Sequence, residues 1–205
     1  MKKILLVTVA VGSVALSAFA DRPYYKTLSG NGNATTPAQV IFPAAPLQQI
    51  RIVNANWSSD TNNAALNFSG GTTGYSIVET NQASTSVTNK INSTNGLSAN
   101  AVLVLQHAGV GYAATVSTWN SSTNSGPYGG TNVVLASGGW GMATSVGDDV
   151  YLMDTPVAVP IGATTNAMNG DALYVANLVA RPVLVKLTPA LATNKLNSVV
   201  GRYEY

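Results

Sequence analysis

From Gln39 onward the chain is a succession of short apolar runs separated by Gly, Asn, Ser and Pro. Segments 40–42, 47–55, 64–68, 75–79, 101–106, 112–119, 131–136, 150–153, 156–161, 172–176 and 182–187 have the length and residue types of strands. Residues 199–205 add a last edge strand. The run AVLVLQ (101–106) is continuously apolar and fits a strand buried on both faces. The glycine-rich stretch 69–74 reads as a hairpin-like connection between its flanking runs.

Spacings of roughly 8–12 residues between such runs predict an all-β, antiparallel sandwich or barrel-like fold. Long stretches of 3.6-residue periodicity are missing. A single short C-terminal helix is expected at 189–197, where Thr188 can cap and Pro189 can take the first helical position. A parallel α/β fold would need a crossover helix after most strands.

Segment 1–20 has the layout of an export signal: Lys2 and Lys3, an apolar run from Ile4 to Leu16, then Ala18-Phe19-Ala20. Residues 21–37 are polar and turn-rich around Ser29-Gly30-Asn31-Gly32-Asn33, and read as an extended N-terminal arm or loop. Two small β-subdomains, 38–90 and 96–205, are expected around the polar stretch 81–95, read as linker or surface loop.

Composition narrows the function classes. Only 9% of residues are charged, against an ordinary ~25%. Without Lys2 and Lys3, eight basic residues face eight acidic ones. That balance argues against a nucleic-acid surface and against polybasic membrane attachment. There are no cysteines, which removes disulfides, thiol catalysis and thiolate metal sites. A neutral surface rich in amides and hydroxyls suits an extracellular particle and favours self-association.

Residues 96–153 order a turn, the strand AVLVLQ, YAATVSTW, a loop, NVVLAS, another loop and VGDDVYLM. This arrangement resembles small β-modules of phage tail, fibre and decoration proteins and of bacterial surface proteins. The resemblance implies a non-catalytic role in an exterior assembly. An export signal departs from virion proteins assembled in the cytoplasm and turns the expectation toward a cell-surface or filament protein.

Candidate chemistry is sparse. Gly109-Val110-Gly111-Tyr112-Ala113-Ala114 matches G-x-G-x-x-A, but that fingerprint needs a following helix and an acidic residue about 20 positions on. Here β-type residues follow and no acid occurs between Tyr112 and Gly147, so a hairpin turn is expected. Asp148 and Asp149 are neighbours and face opposite sides of a strand. Asp148 and Asp154 on one continuous strand would stand ~20 Å apart, whereas a glycosidase pair needs about 5–9.5 Å. His107, the sole histidine, is expected at a strand end. No catalytic, cofactor or metal-binding residue is assigned, and no cofactor is expected.

Trp119, Trp140 and Tyr128 are candidate ligand-binding aromatics, with Trp140 expected on an exposed loop. Val199, Val200, Tyr203 and Tyr205 are a candidate assembly interface, because an exposed apolar strand invites pairing. The expected function is therefore a non-enzymatic structural or interaction protein of an extracellular surface, filament or virion-like particle. Its partners would be copies of itself or other surface proteins, with no nucleic acid and no stable membrane span; a periplasmic location is also compatible. Alternatives are a secreted carbohydrate-binding module using loop aromatics and a secreted hydrolase using Asp148 or Asp149.

Overall fold

The computed structural model describes residues 24–29, 38–44, 49–77, 81–120, 131–136, 138–161, 166–177 and 181–204. Among them all regular structure is β: β1 (Tyr24–Ser29), β2 (Gln39–Phe42), β3 (Gln49–Ser58), β4 (Ala65–Ser76), β5 (Thr88–Ile91), β6 (Val102–His107), β7 (Val110–Asn120), β8 (Thr131–Leu135), β9 (Asp149–Met153), β10 (Val157–Pro160), β11 (Asn166–Asn177), β12 (Val183–Thr188) and β13 (Lys195–Glu204). Every pairing is antiparallel. A four-stranded sheet runs β1-β13-β3-β11, and a nine-stranded sheet runs β2-β12-β4-β9-β6-β7-β8-β5 with β10 also on β4.

Three apolar layers organise these sheets. In the first, Val40 and Phe42 of β2, Leu66 and Phe68 of β4 and Val183, Val185 and Leu187 of β12 face Ile50, Ile52 and Trp57 of β3 and Leu196, Val199 and Tyr203 of β13. This is a sandwich core, with Phe42 and Tyr203 edge to face at 6.4 Å. In the second, β9-β6-β7-β8-β5 curl into a half-barrel around Tyr75, Ile77, Ile91, Leu103, Leu105, Val116, Val133 and Trp140. A single bridge from Ile77 to Ile91 brings β5 back towards the end of β4. The third layer, Ile41, Val104, Met153 and Leu184, joins the outside of the half-barrel to the second face of the sandwich sheet.

β4 belongs to both bodies. Its first half pairs with β12 and β10, its second half with β9. Segment 69–74 is therefore not a hairpin connection. It is the bend of one continuous strand, with a register shift between Gly71 and Thr73. The bend needs glycine: a Cβ on Gly71 would stand 3.0 Å from Pro182 Cδ and 3.3 Å from Tyr151 Cβ. It is pinned on both sides. Asp154 Oδ1 accepts the Gly70 N–H at 2.8 Å, and the Asp154 and Gly71 N–H groups donate to Gly70 O and Pro182 O, each at 2.9 Å.

Three further expectations change. Part of the arm 21–37 is a strand, because β1 pairs with β13 from Tyr24↔Tyr203 to Ser29↔Ser198. The polar stretch 81–95 contains β5, whose Asn89 and Ile91 are buried; with only Ile91 as a large apolar side chain, its alternation is faint. The expected helix 189–197 is instead a turn followed by the start of β13. Buried Asn194 organises that turn, donating from Nδ2 to Pro189 O at 2.8 Å and accepting the Asp60 N–H at 3.0 Å. These bonds satisfy backbone groups that a helix would have had to satisfy internally.

Candidate functional site

The β6–β7 hairpin carries the sole histidine. Ala108 (φ 48°) and Gly109 (φ 78°) form the two-residue connection between the paired residues His107 and Val110, the positive-φ geometry of a tight hairpin. The G-x-G-x-x-A match thus lies on a hairpin, as expected. Gly111 is required for packing: a Cβ there would lie 2.3 Å from Ile41 Cγ2.

At this end of the half-barrel His107 Nδ1 lies 2.9 and 3.0 Å from the two carboxylate oxygens of Asp148. A carboxylate only accepts, so Nδ1 carries the proton and Nε2 is left as the other ring nitrogen. Asp148 Oδ2 also accepts the Ser145 N–H at 2.7 Å, and Asp148 O accepts the Ile77 N–H at 2.9 Å. The carboxylate is mostly buried and the imidazole about one-third exposed. The pair fastens the hairpin to the loop entering β9. Asp149, the first residue of β9, pairs with Gln106 and is exposed. Its charge and burial both raise the Tyr151 phenol above its ordinary value, burial more strongly, against a lowering influence of Arg181.

The aromatic candidates separate. Trp140 is 1% exposed and belongs to the half-barrel core, so the expectation of an exposed loop residue is corrected. Its loop folds inward because the Gly139 backbone (φ 59°) packs on that of Ser86; a Cβ there would stand 2.3 Å from Ser86 O. Thr144 and Gln82 exchange backbone hydrogen bonds beside it. Trp119 on β7 is 38% exposed. Tyr128 lies outside the described residues.

The C-terminal candidates also divide. Val199 and Tyr203 are buried in the sandwich core, Val200 is half-buried on the opposite face, and Tyr205 lies outside the described residues. β13 is not an edge strand, since β1 and β3 flank it. Its core-facing side chains Leu196, Val199 and Tyr203 are covered by this chain itself. The outer members of that sheet are β1 and β11.

Among the described residues no group of three or more His, Asp or Glu is placed to hold a metal ion. The arrangement that sequence reasoning missed is a polar row of Asn67, Lys186 and Gln39 across β4, β12 and β2. Each lies in an ordinary strand, and only register brings them together. No family model, curated protein or solved structure matches the chain.

Proposed function

We propose that the chain is a non-enzymatic structural protein of an extracellular surface, filament or virion-like particle, and that it assembles with copies of itself through sheet edges. The observation carrying this reading is the four-stranded sheet, whose outer strands β1 and β11 are paired on one side only among the described residues. They span six and twelve residues. Edges of that length present rows of backbone donors and acceptors that a strand of another copy can satisfy. The near-neutral charge left without Lys2 and Lys3 removes the repulsion that would keep copies apart.

Light scattering on residues 21–205 across a concentration series tests this reading. Mass growing with concentration to a large, stable assembly is expected. A strict monomer at the highest concentration overturns it. Trp119 supports a second reading, a carbohydrate-binding module, because its half-exposed indole offers a stacking face.

A further inference from the structure

On the face of the sandwich sheet opposite its core, register sets Ala158 of β10, Asn67 of β4, Lys186 of β12 and Gln39 of β2 in one row across four strands. Side chains in register on neighbouring antiparallel strands share a face and stand about 5 Å apart at Cβ. Burial is graded along the row. Ala158 is exposed, Asn67 and Lys186 are half-buried, and Gln39 is 2% exposed. The row beyond, Ser69, Leu184 and Ile41, enters the apolar junction with the half-barrel. The row before it is Pro160, Ala65 and Thr188. Ala158 and Ala65 keep the sheet surface low on the open side.

Two donors of this row are unengaged. Among the described residues no acceptor or carboxylate engages the Lys186 ammonium. Burial alone lowers its affinity for a proton from the ordinary lysine value, with no acidic neighbour opposing that shift. Gln39 Nε2, buried directly across from it, also has no partner among the described residues. Asn67 Nδ2 is already given to Thr188 Oγ1. A buried donor without an acceptor, beside a cation without a counter-charge, is a costly combination that an anionic acceptor relieves.

We propose that this row is a binding site for a single oxyanion, of carboxylate or phosphate chemistry, held by the Lys186 ammonium with Gln39 Nε2 as second donor and entered from the Ala158 side. A carboxylate or phosphate supplies several acceptor atoms, and its charge-assisted bonds to the ammonium are the strong kind. The proposal is independent of the assembly reading, because it uses neither β1 nor β11.

The test is reductive methylation of residues 21–205 read lysine by lysine by mass spectrometry, in acetate, in phosphate and in chloride at equal ionic strength. Lys186 labelling is expected to slow about tenfold at about ten times the dissociation constant, while exposed Lys195 is unaffected. Protection by acetate alone assigns a carboxylate site, and protection by phosphate alone a phosphate site. Equal Lys186 labelling in all three salts overturns the proposal. So does a melting-temperature gain in acetate or phosphate over chloride that is as large in Lys186→Met as in the unaltered chain. If that variant does not fold, the labelling of the unaltered chain still decides.

Discussion

Ile41 of β2 lies against the Cα of Gly111 on β7, so close that a methyl group on Gly111 would stand 2.3 Å from Ile41 Cγ2 and 2.9 Å from Ile41 Cβ. This contact lies at the junction where the sandwich and the half-barrel share one apolar layer. Gly111→Ala is expected to destabilise the chain by about 1–3 kcal/mol through overpacking. Ile41→Ala should cost about 2–5 kcal/mol through the cavity it leaves. The double variant should cost less than the sum of the two, since each change relieves the other. Urea unfolding of the four chains measures the coupling. Strict additivity would show that the two bodies do not lean on each other here.

The Asp148 carboxylate serves two groups and the His107 imidazole one. Asp148→Ala frees the Ser145 N–H as well as His107, whereas His107→Ala frees only the carboxylate, which keeps the Ser145 bond. Asp148→Ala is therefore expected to be the more destabilising, by about 1 kcal/mol, the worth of a partly buried hydrogen bond. Equal urea midpoints for the two variants would mean that Ser145 contributes nothing through this bond.

Burial holds the Lys186 ammonium below its ordinary 10.5 in the folded chain. Between that lowered value and 10.5 the unfolded chain binds more protons than the folded one, so this group makes stability rise with pH in that window. Below the window both states are charged and the full cost of burying the charge persists. Tyr75 acts with the opposite sign. Its phenol is raised above 10.0 by burial, so its contribution is lost as pH climbs past that value. Lys186→Met should be more stable than the unaltered chain at neutral pH and should lose the rise that ends at 10.5. Urea unfolding in a pH series checks both, and a rise that persists in the variant would assign it to another group.

The bend in β4 depends on Asp154, which both accepts from and donates to Gly70. Asp154→Ala should cost about 1–2 kcal/mol, because it leaves the Gly70 N–H without its acceptor. Asp154→Asn keeps an acceptor oxygen and should recover most of the loss. Hydrogen exchange at Gly70 and Gly71 reports the same bend directly. Unchanged protection in the alanine variant would place the pinning force in Pro182 instead.

How far the sequence carried this picture follows from the residues. Apolar runs such as AVLVLQ and VLVKL are strands because burial dictates their pattern, and nearly all the expected strands are present. The exceptions have local signals that tertiary contacts override. Glycines at 70, 71 and 74 look like a turn but serve a bend where Tyr151 and Pro182 approach. Thr188-Pro189 looks like a helix start, but Asn194 closes a turn with Asp60, which is distant in sequence. The site features were the least legible. His107 and Asp148 are 41 residues apart, and the Asn67-Lys186-Gln39 row exists only through strand register.

Trp140 and Trp119 give a last contrast. Trp140 is enclosed in the half-barrel, 1% exposed, and its indole N–H has no partner among the described residues. Trp119 is 38% exposed on β7 beside the same core. Trp140→Ala should cost about 3–5 kcal/mol, because it removes a large side chain from a closed space. Trp140→Phe should cost much less, since it keeps most of the ring and deletes the orphaned donor, whose burial carries a penalty of about 1–3 kcal/mol. Trp119→Ala should change stability by less than about 1 kcal/mol, as expected of a partly exposed side chain outside the tight core. Only Trp119→Ala is then a clean test of glycan binding, with the midpoint of urea unfolding as the control. If Trp119→Ala unfolds the chain as readily as Trp140→Ala, the Trp119 indole is a core residue and the carbohydrate reading loses its support.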